Sequence, residues 1–150
     1  LKFHPDKCSV LKLGTKKSEA QYVMQGTENE ITLKDSEAEK DLGVLIDRDL
    51  TFRNHIATAT KKANSIVGLI RRTFDFLDEN LFTQLFKSLV RPKLEYGHVI
   101  WNPHLKGLQQ ELESVQRSAT RLIPSLKNKS YPERLEASQV YSIGGRGEIS

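Results

Sequence analysis

The sequence predicts an α+β protein, with a small N-terminal antiparallel strand region followed by a mainly α-helical bundle. Up to residue 50, apolar residues come in short clusters separated by turn-formers, whereas from Thr51 onward they recur every three or four residues. The chain has 150 residues, 37% of them hydrophobic and 28% charged, enough for one ordinary domain or two small lobes and too patterned for a disordered chain. The expected division is strands over 1–50, helices over 51–141 and a mobile tail over 142–150.

The strand region is read from four segments. Cys8 to Leu13 alternates and ends at Gly14, and Tyr22 to Met24 and Ile31 to Leu33 are apolar clusters flanked by Gly26, Asn29 and Asp35. The charged stretch Asp35 to Lys40 leads into Leu42-Gly43-Val44-Leu45-Ile46, expected to be a buried strand whose glycine lets another backbone come close.

The helices follow in order. Ile56, Ala59, Ala63, Ile66 and Ile70 form one stripe, with Asp49 or Thr51 as N-cap and Lys61, Lys62, Arg71 and Arg72 on the polar side. Asp78 caps a second helix whose Leu81, Phe82, Leu85, Phe86 and Leu89 share a side, and Pro92 is expected to end or kink it. Leu94, Tyr96, Val99, Ile100 and Trp101 then supply a segment expected at the core centre. The third helix reads from Leu105 through Leu108, Leu112, Val115 and Ala119 to Leu122, stopped by Pro124, with Arg117 and Arg121 one turn apart. Ser130-Tyr131-Pro132-Glu133 has the capping-box pattern, predicting a short helix through Leu135 to about Val140.

Charge is uneven. Residues 1–50 hold 8 Lys+Arg against 10 Asp+Glu, and residues 51–150 hold 15 against 9, so the net charge of +4 divides into −2 and +6. Clustered positive charge attracts polyanions and releases their counterions, which makes nucleic acid the natural partner; a solvated surface is the plain alternative. The longest apolar runs, Ser65 to Ile70 and Leu85 to Val90, fall well short of the roughly 20 residues a bilayer crossing needs, so no membrane span is expected. The single cysteine, Cys8, excludes an intrachain disulfide and fits a reducing intracellular setting, nuclear or cytoplasmic. Leu1, followed by charged and turn-forming residues, reads as the start of a piece cut from something longer.

No constellation for independent catalysis emerges. His98 and His104 lack the spacing of a helical metal pair, the serines have no nucleophile-elbow context, and Cys8 has Lys7 beside it but no partner base. Asp47 and Asp49 form an Asp-x-Asp that reads better as turn and cap than as a Mg2+ site. Gly144-Gly145-Arg146-Gly147 lacks the Lys-Ser/Thr of a phosphate loop.

Taken in order, several segments resemble the C-terminal portion of reverse transcriptases of LINE-type non-LTR retrotransposons, especially chicken-repeat and jockey-like elements. The resemblance runs from Phe3 to about Tyr141. Phe3-His4-Pro5-Asp6-Lys7-Cys8 is similar to the family's Phe-Asn-x-x-Lys-Cys palm segment, with His4 in place of Asn. Glu39 to Asp47 resembles the primer-grip segment around Leu42-Gly43-Val44. The two longest blocks are Ser88-Leu89-Val90-Arg91-Pro92-Lys93-Leu94-Glu95-Tyr96-Gly97, followed by Trp101-Asn102-Pro103, and Glu113-Ser114-Val115-Gln116-Arg117-Ser118-Ala119-Thr120-Arg121.

The resemblance implies a palm edge followed by a thumb that holds an RNA/DNA primer–template duplex. It implies an auxiliary role for Lys7 as proton donor to the leaving pyrophosphate. It also implies primer contact by Leu42, Gly43 and Val44. Charge and predicted helix face make Lys61, Lys62, Arg71, Arg72, Arg117 and Arg121 the candidates for phosphate contacts. The family's two-metal centre needs aspartates that lie upstream of the Phe3–Cys8 type of segment, so Mg2+ belongs to the complete enzyme. This chain has no metal ligands of its own and is expected to be inactive without the missing palm and fingers. The alternative reading is a non-enzymatic helical module that binds protein.

Overall fold

The computed structural model describes residues 3–16, 18–96 and 106–143. His98, His104, Val99, Ile100, Trp101, Leu105, the Gly97 and Trp101-Asn102-Pro103 parts of the first long block, and residues 144–150 lie outside them. The architecture is α+β as the sequence predicts, and the chain divides into two compact units, Leu1–His55 and Ile56–Ser150, five residues later than the change in periodicity.

In the first unit a 3-10 turn, Pro5–Lys7, precedes six short strands: β1 (Ser9–Leu11), β2 (Val23–Gln25), β3 (Glu30–Thr32), β4 (Lys34–Ser36), β5 (Ala38–Asp41) and β6 (Val44–Asp47). They form three two-stranded ladders. β2–β3 and β5–β6 are antiparallel, whereas β1 pairs with β4 in parallel, Val10 opposite Asp35. The charged stretch that reads as a connector is therefore mostly strand. Leu42 and Gly43 are not within a strand: with φ of 47° and 83° they form the two-residue turn of the β5–β6 hairpin, whose right-handed twist demands positive φ at both positions. Leu42 is 86% exposed at that tip and Val44, the first residue of β6, is buried.

Helix α1 (Arg53–Thr73) starts later than either predicted cap. The Asp47 carboxylate instead accepts the Thr51 N–H and hydroxyl, both at 2.6 Å, and closes the turn that leads into the helix. This turn holds Leu50 and Phe52 at positive φ, the second with its ring buried. His55 is buried, and its Nδ1 accepts the Leu45 N–H at 3.2 Å.

In the second unit α2 (Glu79–Leu85), a π turn (Phe86–Val90) and α3 (Arg91–Glu95) form one continuous helical run. Asp78 caps it as predicted, its Oδ1 accepting the Leu81 N–H at 2.7 Å. Pro92 does not end it. Proline has no N–H and crowds the carbonyl four residues back; just before it, the Arg91 N–H reaches Phe86 O, one residue beyond the α pattern.

The widened turn also sets the core. Phe82, Phe86, Val90 and Leu94 are all at most 1% exposed. A spacing of four drifts around an α-helix of 3.6 residues per turn, and a turn of higher residue count brings it back into phase. Leu89, expected on the apolar side, is 46% exposed.

Helix α4 (Lys106–Thr120) buries Leu112, Val115 and Ala119, but beyond it Ile123 is buried, not Leu122, because a 3-10 turn at Pro124–Leu126 replaces the helix. Helix α5 (Tyr131–Ala137) starts where the capping box places it, with the Glu133 carboxylate accepting both the N–H and the hydroxyl of Ser130, and ends before the expected Val140. Gln139, at φ 51°, ends it, with the Val140 N–H on Leu135 O, the arrangement usually built around glycine.

Candidate nucleic-acid interface

Helix α1 has the most one-sided chemistry in the chain: five basic side chains and no carboxylate in 21 residues. Ile56, Ala59, Ala63 and Ile70 are buried, which orients the rest. At 100° per residue, Lys61 and Arg72 fall within about 20° of each other, centred on the exposed face and about 16 Å apart along the axis. Lys62 and Arg71 lie on opposite flanks of that line. All four are exposed. Arg72 leans back over Gly68, where a Cβ would sit 3.7 Å from its Nη1.

Arg117 and Arg121 are also exposed, on the last turn of α4 and just beyond it. The structure brings them together with a residue that charge patterning missed, Arg134 on α5, which is 3% exposed. The Arg117 guanidinium lies 4.9 Å from the centre of the Tyr131 ring and that of Arg134 lies 5.4 Å from it. Burial first, then the charges of Arg121 and Arg117, lower the Arg134 pKa from its ordinary value. No spacing rule links Arg134 to the α4 arginines; only the packing of α5 on α4 does.

Several residues of the two long blocks serve the scaffold instead. Arg91 donates to Glu95 at 2.8 Å, to Gln116 Oε1 at 2.6 Å and to the carbonyls of Tyr141 and Ser142. Gln116, fully buried, donates in turn to the Tyr141 carbonyl at 2.9 Å. Glu113 accepts from the Tyr131 hydroxyl and, at 2.7 Å, from the Ile143 N–H. Arg91 of the first block and Glu113 and Gln116 of the second thus clamp the segment Tyr141–Ile143. Ser142 and Ile143, assigned to the tail by sequence, are part of the packed unit, and Ile143 is buried. Burial and then the Glu113 acceptor push the Tyr131 pKa well above the ordinary phenol range.

In the first unit, Lys7 is exposed on the 3-10 turn, next to but not lining a cavity of about 80 Å³ between Pro5, Asp6, Cys8, Ile31, Thr32 and Lys34, too small for a nucleotide. Leu42 and Gly43 present the hairpin tip, while Val44, at 3% exposure, is buried and has no surface to offer a primer strand. Among the described residues no group of three His, Cys, Asp or Glu side chains is arranged to hold a metal ion. Asp47 is committed to Thr51, so the Asp-x-Asp pair does not fit a Mg2+ site.

No protein-family model matches the chain, and no solved structure matches it. The chain is 31% identical over 106 residues to an uncharacterized protein of Caenorhabditis elegans. The match takes in 69% of this chain and 54% of the nematode protein, so the chain spans about half the length of the curated relative it matches. Among the described residues, no helix is long and apolar enough to cross a membrane.

Proposed function

We propose that this chain is the palm-edge and thumb portion of a reverse transcriptase of the non-LTR retrotransposon type, holding an RNA/DNA primer–template duplex through phosphate contacts and inactive in nucleotidyl transfer by itself. The observation that carries the reading is the carboxylate-free exposed face of α1, where Lys61 and Arg72 share one line and Lys62 and Arg71 flank it. Such a face offers cations to a phosphate backbone with no carboxylate on its own helix to compete, and such contacts position a duplex without reading its sequence. The exposed hairpin tip at Leu42-Gly43 suits the primer contact that the resemblance implies.

The test is binding of the whole chain to a short RNA/DNA duplex across a salt series, with primer extension in Mg2+ alongside. Binding should weaken steeply with salt, and K61Q/R72Q should flatten the log–log slope by about 2, roughly one unit per lost phosphate contact. Extension by the chain alone would overturn the inactive reading. A second reading, a module that binds protein, is favoured by three exposed apolar side chains, Leu69, Phe76 and Leu89. Absence of duplex binding by a folded chain would select it.

A further inference from the structure

Arg134 is buried on α5 without a carboxylate. Its Nε donates to Thr120 Oγ1 at 3.2 Å and its Nη1 to the Lys129 carbonyl at 2.6 Å, but its buried Nη2 has no hydrogen-bond partner. Among the described residues no acidic group forms an ion pair with it, nor with Arg117 or Arg121. A covered guanidinium ordinarily meets an anion, since removing the charge from water without one is strongly unfavourable. Here its charged neighbours are two more arginines. Arg117 lies with it against the Tyr131 ring, and the charges of Arg121 and Arg117 both lower its pKa. Tyr131, against which Arg117 and Arg134 both lie, orients the two side chains and keeps its own phenol neutral, so it adds no negative charge.

We infer that Arg117, Arg121 and Arg134 form a binding site for one phosphate group, with the unpartnered Arg134 Nη2 as its fixed donor and the two exposed arginines closing over the anion. Guanidinium groups suit this ligand because their planar forks match tetrahedral oxyanions with paired N–H donors. The phosphate is supplied by a nucleic-acid backbone or by a free phosphate ion. The first source rests on the function proposed above; the site itself does not.

Three measurements on the full chain separate these cases. The first compares Tm in inorganic phosphate and in chloride at matched ionic strength. Phosphate at tenfold its dissociation constant should raise Tm by about 3–6 °C, a stabilisation of RT ln 11. The second follows the Arg134 Nε–H resonance, which should move with phosphate. The third compares R121Q with K61Q. Arg121 is exposed, so R121Q should fold, lose most of the phosphate-induced shift and bind the RNA/DNA duplex about five- to tenfold more weakly at moderate salt. K61Q, remote from the site in sequence, should keep the phosphate response.

A phosphate shift abolished by R121Q together with weaker duplex binding supports a backbone-phosphate site. The same loss with duplex binding unchanged supports a site for free phosphate. If the duplex does not bind at all while the phosphate response persists, the proposed function fails and the site stands. No phosphate-specific shift in the folded wild-type chain, or an equal response in R121Q, overturns the site.

Discussion

Leu42 shows how one residue can have the right composition for one role and the conformation of another. As an apolar residue beside a glycine and before Val-Leu-Ile it reads as strand, yet it occupies the left-handed region at the hairpin tip with 86% of its surface exposed. A branched side chain there costs about 1 kcal/mol relative to glycine or asparagine and gains nothing from burial. Leu42→Asn should therefore raise stability by about 0.5–1 kcal/mol in denaturant titration. If Leu42 also meets a primer strand, the same variant should bind duplex more weakly, so stability and affinity would move in opposite directions.

Tyr131 makes a second prediction at this scale. Its folded pKa is raised by burial and by Glu113, so the folded state holds the phenolic proton where the unfolded chain releases it. The contribution is present below the ordinary phenol pKa of about 10 and is lost as pH rises from there through the folded pKa. An ultraviolet titration should show one of the four tyrosines ionising late or only on unfolding, and Y131F should remove that component and part of the alkaline loss of stability.

At the scale of elements, the helical run from Glu79 to Glu95 is decided by phase. Phe86 is fully buried and stacked on Phe82 at 5.3 Å, whereas Leu89 is turned outward. Phe86→Ala should cost about 3–5 kcal/mol by chemical denaturation, and Leu89→Ala about 0.5 kcal/mol or less. Equal effects would mean that the π turn does not set the buried face. Arg91 carries a separate load, its guanidinium joining α3 to Gln116 of α4 and to the carbonyls of Tyr141 and Ser142. Arg91→Leu should destabilise by about 2–3 kcal/mol, because Gln116 and two carbonyls lose a charged donor, with proteolysis starting in the segment Tyr141–Ile143.

For the whole molecule, the two units differ in how much core they own. The buried apolar residues of the second unit run from Ile56 to Ile143, while among the described residues of the first only Val44 and Phe52 qualify. Ladders of three or four residues over so little buried surface open easily. Amide hydrogen exchange should be fast at Met24 and Ile31 and slowest at Phe86 and Leu112; comparable protection in both would contradict this division of stability.

The sequence by itself determined the fold class, the order of strands before helices, the capped starts at Asp78 and Ser130 and the basic exposed face of α1. Each follows from local periodicity, cap chemistry or charge spacing, which neighbours along the chain suffice to express. The parallel pairing of β1 with β4, the π turn before Pro92, the role of Arg91, Glu113 and Gln116 as a clamp and the gathering of Arg134 with Arg117 and Arg121 were decided only by the tertiary structure. These depend on which distant groups meet and which buried donors and acceptors must then be satisfied, and linear spacing does not encode either.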